Sequence, residues 1–236
     1  MRIGSLLVLP ALLAGAAPAL AASVTGRVSG PDGQGVAGIT VEAIYQNYTA
    51  DDLLTYGSSI KAIATTDAAG RYRIELGSLP AGEYRAHAYR SVVNGGRVLD
   101  MAMLPETNLP FTGNADAVRN FTDTLIESSP DLPYGNAGIF LLQNAVLDYT
   151  DLAGAEVTLV PLDGGAASTR PVRSTGEGLV VTGIAYGRYR AGVSLDGAPL
   201  QLRLFGADPD DAFSVHVIHD FTMGHLGNQF IVEARR

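Results

Sequence analysis

The sequence predicts an all-β protein, two tandem β-sandwiches behind a signal peptide. Three observations carry this reading. One pattern of strand, turn, strand, tight corner and strand occurs twice. The apolar residues of each copy recur with a period of two. No stretch of about ten residues beyond the N-terminus shows a helical apolar stripe.

In the first copy, Val36-Ala37-Gly38-Ile39-Thr40-Val41-Glu42-Ala43 is followed by Thr66-Asp67-Ala68-Ala69-Gly70-Arg71-Tyr72-Arg73-Ile74. Leu79-Pro80-Ala81-Gly82-Glu83-Tyr84-Arg85-Ala86 then completes it. In the second copy, Leu152-Ala153-Gly154-Ala155-Glu156-Val157-Thr158-Leu159 takes the first place. Gly176-Glu177-Gly178-Leu179-Val180-Val181 takes the second, and Ile184-Ala185-Tyr186-Gly187-Arg188-Tyr189-Arg190-Ala191 the third.

The strands follow in order. Val24, Gly26 and Val28 share one face of the first, and Ile39, Val41, Ala43 and Tyr45 share one face of the next. Residues 47 to 59 break the alternation, and Ile60 to Thr66 resumes it. Asp67-Ala68-Ala69-Gly70 reads as a hairpin turn, with Gly70 suited to the left-handed region. Tyr72, Ile74 and Leu76 point inward, and Arg71, Arg73 and Glu75 outward. Gly82 and Gly187 stand at the same corner before an x-Tyr-Arg strand. Each is expected to hold a backbone conformation closed to β-branched residues. Val118 to Ile126 reads as a closing strand. Ser128 to Asn136 is rich in Ser, Pro and Gly, and we place an exposed linker there. In the second copy, Val157, Leu159, Leu179, Val181, Tyr189, Ala191, Val193, Leu200, Leu202 and Leu204 supply the expected core. Phe213 to Phe221 and Gln229 to Ala234 are the last strands. The expected organisation is a signal peptide over 1–21, a first sandwich over 22–127, a linker over 128–137 and a second sandwich over 138–236.

The N-terminus reads as a targeting segment. Arg2 supplies the positive start and Ile3 to Leu20 the apolar stretch. Ala19-Leu20-Ala21 supplies small residues for cleavage before Ala22. Pro10, Gly15 and Pro18 argue against a membrane anchor, and no later apolar run is long enough to span a bilayer. The expected location is periplasmic or secreted, with no membrane insertion after signal cleavage. The chain carries 16 basic and 24 acidic side chains, a formal charge of −8, and loss of Arg2 makes the mature chain more negative still. Such a surface repels phosphate backbones and anionic headgroups, so neither nucleic acid nor basic-patch membrane binding is expected. With no cysteine, stability rests on burial rather than disulfides.

Gly26-Arg27-Val28, Gly35-Val36-Ala37-Gly38-Ile39-Thr40-Val41, Thr66-Asp67-Ala68-Ala69-Gly70-Arg71-Tyr72 and Leu79-Pro80-Ala81-Gly82-Glu83-Tyr84 resemble the carboxypeptidase regulatory-like domain family. The resemblance covers Val24 to Ala88. It implies a transthyretin-like (prealbumin-like) or Ig-like sandwich serving as an accessory module in exported proteins, and it is silent on the ligand. Catalytic relatives of that sandwich are not matched. The chain ends Glu233-Ala234-Arg235-Arg236 where urate-pathway hydrolases carry Tyr-Arg-Gly-Ser. The Tyr and His iron ligands of intradiol dioxygenases have no counterpart. The single lysine, Lys61, is not in a first strand, as the isopeptide of pilin-type relatives requires.

His216, His219, Asp220 and His225 fall within ten residues and carry the ligand chemistry of zinc or copper. Strand alternation sends His216 and His219 to opposite faces, which weighs against a metal centre. Asp51-Asp52 and Asp208-Pro209-Asp210-Asp211 lack calcium-loop spacing and read as solvated acids. Tyr45, Tyr48, Tyr56, Tyr134 and Tyr149 offer a sugar-stacking platform, against which stand the core position of Tyr45 and the absence of Trp. Arg71, Arg73, Arg85 and Arg90 suggest a basic row that Glu75 and Glu83 would neutralise. No nucleophile elbow, phosphate loop or zinc-protease motif is present. The sequence therefore points to a non-catalytic exported module that recognises a protein or cell-envelope polymer, with no catalytic residue, cofactor or metal assigned. The alternatives are a secreted carbohydrate-binding accessory protein and a metal-binding protein or metalloenzyme built on the histidine cluster.

Overall fold

The computed structural model describes residues 22–47, 60–130, 132–208, 210–225 and 227–236. Residues 1–21, expected as a signal peptide, and Tyr48, Asp51, Asp52 and Tyr56 lie outside them. The described residues contain strands and turns but no helix. The fold class is all-β, as the period-two pattern predicts.

The first half contributes β1 (Ser23–Ser29), β2 (Thr40–Tyr45), β3 (Lys61–Thr65), β4 (Arg71–Glu75), β5 (Glu83–Asn94) and β6 (Arg97–Ala102). The short β7 (Leu104–Pro105), β8 (Phe111–Thr112), β9 (Ala117–Val118) and β10 (Phe121–Thr122) follow. The second half contributes β11 (Gly138–Asn144), β12 (Glu156–Pro161), β13 (Ser168–Pro171), β14 (Arg173–Thr175), β15 (Gly178–Ile184) and β16 (Arg188–Leu195). It ends with β17 (Ala198–Pro199), β18 (Gln201–Leu204), β19 (Val217–Asp220), β20 (Thr222–Gly224) and β21 (Gly227–Arg235).

Among the described residues the strands form four sheets. In the first half, β4-β1-β10-β7 faces β3-β2-β5-β6. In the second, β14-β15-β11-β21-β18 faces β13-β12-β16-β17. The halves share a wiring diagram. β1 pairs antiparallel with β4 and parallel with β10, as β11 pairs antiparallel with β15 and parallel with β21. β2 lies between β3 and β5 as β12 lies between β13 and β16. The duplicated sequence pattern is thus a duplicated topology.

Alternation places the cores where apolar residues recur. Val24, Val41, Ala43, Tyr72, Ile74, Tyr84 and Ala86 fill the first, and Phe140, Val157, Leu159, Val181, Tyr189, Ala191 and Phe230 the second. Leu179 and Leu204, expected inside, are only partly buried against it. The buried aliphatics and aromatics provide the main stabilisation, at roughly 25 cal/mol for each Å² of apolar surface removed from water.

Several local readings need correction. Asp67 to Gly70 does turn the chain, with Gly70 at φ 74°, and the Asp67 carboxylate accepts the Ala69 and Arg71 amides. It does not close a hairpin, however. β3 pairs with β2 and β4 with β1, so this turn carries the chain from one sheet to the other. Gly82 and Gly187 are both outside the left-handed region. Gly82 is needed for space, because a Cβ there would lie 2.5 Å from Cε2 of Tyr45, whereas at Gly187 the nearest atom, Cε2 of Tyr189, is 3.4 Å away. The closing strand expected over Val118–Ile126 shrinks to β9 and β10, and that over Phe213–Phe221 to β19. Of Ser128–Asn136, Ser128, Pro130 and Pro133 are exposed. Asn136 is buried, and its amide donates to the Ala102 and Thr124 carbonyls at 2.7 Å each.

The β5–β6 hairpin reaches from the first half into the second. Asn94-Gly95-Gly96-Arg97 turns it, with both glycines at positive φ, the geometry of a two-residue hairpin loop. Leu99 of β6 is buried in the second core, and Asn94 donates to the Phe221 carbonyl at 3.4 Å. Tyr186 packs against both cores and donates to the Asp100 carbonyl at 3.3 Å.

Candidate binding surface

The histidine segment is spread over separate environments. β19 pairs with β16, setting His219 opposite Tyr189 on the core side, where its ring meets Phe230 edge-on at 5.5 Å. Burial holds the His219 pKa below the ordinary histidine value, against the pull of Asp220. His216 lies on the outer surface over Gly192. His225 points to Glu177, Nε2 to Oε2 3.4 Å. Asp220 lies against Gly95 of the hairpin. Among the described residues no three His, Asp or Glu side chains are grouped to hold a metal ion. The alternation that separates His216 from His219 is the reason.

The other sequence candidates also disperse. Tyr45 is buried against Tyr84, ring centroids 5.3 Å apart, Tyr134 is half-buried beside Ile139, and Tyr149 is exposed. No stacking platform forms from these three. Arg71 and Arg73 stand on β4, and Arg85 and Arg90 on β5 in the facing sheet, so there is no basic row. Arg73 is paired with Glu75, Arg90 with Asp123 at 2.8 Å, and Arg85 donates to the Asn108 carbonyl at 2.6 Å. Asp208 caps a tight turn by accepting the Asp210 amide at 3.0 Å.

Two features escaped the sequence reading. The first is a polar cluster on the outer face of β2. Glu42 is buried there, Lys61 Nζ lies 2.7 Å from its Oε1, and the Tyr89 hydroxyl donates to the same oxygen at 3.2 Å. The hydrogen bond to Glu42 raises the Lys61 pKa, which keeps the amine protonated rather than nucleophilic. His87 stands opposite Glu42 across the β2–β5 ladder, and desolvation lowers its pKa. Beside them is a cavity of about 290 Å³, on the edge of β5 away from β2, between its segments paired with β6 and with β8. His87, Tyr89 and Asp100 stand at its polar side, and Ala88, Met103 and Phe121 at its apolar side.

The second is the loop between β11 and β12. Val146, Leu147 and Tyr149 are 78, 81 and 89% exposed. Leu147 has φ 65°, a left-handed backbone uncommon for a bulky residue. Hydrogen bonds fix the loop around it. The Asp148 amide donates to the Ala145 carbonyl at 2.9 Å, and the Asp148 carboxylate accepts the Thr150 amide at 2.8 Å. Asn144 donates to the Thr150 carbonyl at 2.7 Å. These hydrogen bonds, chiefly from Thr150, hold the Asp148 pKa below its ordinary value. Single exposed apolar residues are ordinary on a protein surface. Here three within four residues stand exposed together on a left-handed and internally bonded loop.

No family model matches the chain, and no curated protein matches it. Among solved structures, the chain is similar to a streptococcal ancillary pilin, at 13% identity and a TM-score of 0.32 over 93% of this chain and 64% of the pilin. It is also similar to the Bacillus anthracis TIE protein, at 16% identity and a TM-score of 0.34 over 92% of this chain and 34% of that one. For the shaft pilin SpaA of Lactobacillus rhamnosus GG the values are 12% and 0.25, over 91% and 97% of the two chains. The chain thus spans less than two thirds of the first two proteins.

Proposed function

We propose that this chain is an exported, non-catalytic binding or structural module that recognises a protein or cell-envelope partner through the β11–β12 loop. The observation that carries the reading is the rigid presentation of Val146, Leu147 and Tyr149 to solvent. Pre-organised apolar groups lose little entropy on contact, so they favour association. The resemblance of residues 24–88 to carboxypeptidase regulatory-like domains supports an accessory role in the periplasm or outside the cell. The duplicated wiring supports division into residues 22–127 and 138–236, joined through 128–137. Capture from the native envelope fraction tests the reading. The mature chain should retain envelope material that the Val146→Ser/Leu147→Asn/Tyr149→Ser variant releases, while both keep the same unfolding midpoint to within a few degrees. Equal capture by both would contradict it.

A further inference from the structure

We propose that the cavity at the edge of β5 binds a small neutral ring carrying a cis-amide, a lactam or cyclic imide, held by the backbone N–H and C=O of Ala86. The site lies in the first half of the chain and stands independently of the β11–β12 loop.

The hydrogen-bond pattern of β5 carries the inference. The N–H and C=O of one strand residue point to the same edge, and those of the next residue to the other. The Glu83 carbonyl accepts the Gln46 amide at 2.8 Å, so odd-numbered residues face β2. The Gly82 carbonyl accepts the Gly113 amide and the Ala88 carbonyl the Met103 amide, both at 2.8 Å, so even-numbered residues face the opposite edge. Ala86 lies between these attachments, with Tyr84 paired to Phe111 of β8 on one side and Ala88 tied to Met103 on the other. Among the described residues nothing hydrogen-bonds to the Ala86 N–H or C=O on that edge. Ala86 is nonetheless only 8% exposed and lines the cavity of about 290 Å³. Buried backbone groups are almost always paired, so this rung calls for a partner.

The form of that partner follows. β8 and Met103 close the edge on either side, so a through-running strand does not fit. An ordinary trans amide points its N–H and C=O in opposite directions and reaches Ala86 with only one of them. In a cis-amide ring the two groups lie side by side and meet both groups of one residue. The cavity volume is at the small end for ligand pockets, which suits one or two rings. Met103 and Phe121, both buried, give the ring an apolar wall. That wall opposes a cation, and the Asp100 carboxylate at the polar side opposes an anion. The neighbouring cations are committed, Lys61 to Glu42, Arg85 to the Asn108 carbonyl and Arg90 to Asp123. Burial lowers the His87 pKa, so its imidazole is largely uncharged at neutral pH. The ligand these groups accept is therefore neutral.

The test is a titration of the isotopically labelled mature chain with uracil, followed by two-dimensional amide NMR. Uracil should shift the Ala86 amide downfield, saturating at about millimolar concentration, as a small ring with two hydrogen bonds would. N,N′-dimethyluracil has the same ring without an N–H donor and leaves the Ala86 carbonyl unpaired. It should bind at least about tenfold more weakly. Ala102 is half-buried and lines the cavity, so Ala102→Leu puts bulk into it and should also weaken uracil by about tenfold or more. The amide spectrum and urea midpoint of that variant show whether it is folded, and Asp100→Leu, at an exposed lining position, provides a second obstruction if it is not. The absence of a saturable shift at Ala86 would overturn the proposal, as would equal binding of uracil and its dimethyl derivative, or undiminished binding by a folded, obstructed variant. Propionamide, a side-chain carboxamide without a ring, should bind more weakly than uracil. If it binds as tightly, the ring assignment fails and the occupant is an Asn or Gln side chain of a partner protein.

Discussion

Tyr84 and Tyr189 occupy the same corner of the two halves and make the same hydrogen bond. Each phenol donates to the carbonyl four residues earlier, Tyr84 to Pro80 at 2.7 Å and Tyr189 to Ala185 at 2.8 Å. Each therefore ties the start of its strand, β5 or β16, to the chain arriving from the opposite sheet. Replacing either by Phe keeps the ring and strands a carbonyl. Tyr84→Phe and Tyr189→Phe should each lower unfolding free energy by about 1–2 kcal/mol in urea titration. A neutral outcome at both sites would deny the corner a structural role.

The two corner glycines should respond differently. Gly82→Ala pushes a methyl into Tyr45, whose ring is buried against Tyr84, and should cost about 1–3 kcal/mol. At Gly187 a methyl meets only Tyr189 at ordinary contact distance, so Gly187→Ala should be neutral or stabilise by up to ~1 kcal/mol. Equal losses at both positions, measured by thermal unfolding, would show that a shared backbone demand outweighs the local contact.

How much was legible in the sequence follows from these particulars. Alternation is a local property, so Tyr72, Ile74, Tyr84 and Ala86 were readable as core residues. The repeat was readable because equivalent strands keep equivalent spacing. Which strand a neighbour pairs with is not local, so the Asp67–Gly70 turn looked like a hairpin although it changes sheets. The β5–β6 hairpin was missed although Asn94-Gly95-Gly96 is a strong turn signal, because Val92, Val93, Val98 and Leu99 do not alternate cleanly with polar residues. Leu99 belongs to the far core, and that is a tertiary fact. At the loop, Val146 and Leu147 read as ordinary apolar residues. Their exposure and the φ of Leu147 are visible only once Asp148 and Asn144 are placed.

Because Leu99 fills the second core from the first half, Leu99→Ala should destabilise by about 2–5 kcal/mol. Residues 138–236 expressed alone should be less stable than within the whole chain. Calorimetry of the fragment and the full chain compares them directly. An unchanged transition temperature in the fragment would show that the hairpin adds nothing to the second half.

Stability should fall as the solution becomes mildly acidic. His87 and His219 have folded-state pKa values below the ordinary 6.5, chiefly through burial. As pH drops through 6.5 the unfolded chain takes up protons that the folded chain refuses, so stability declines until the depressed folded values are passed. Asp116 and Asp148, held low by hydrogen bonds, favour the folded state above their ordinary 3.8 and lose that contribution only below it, outside this window. The urea midpoint should therefore drop between pH 7.5 and 5, and His87→Gln/His219→Gln should flatten the slope. An unaltered slope in the double variant would place the pH dependence elsewhere.

The central claim is that the β11–β12 loop is where this protein meets its partner. Site-specific photocrosslinking tests it most directly, with a photoreactive amino acid placed at position 147 and, as a control, at the exposed Val118 of β9. The account predicts adducts with envelope material from position 147 and few from position 118. Adducts from position 118 with none from position 147 would contradict it.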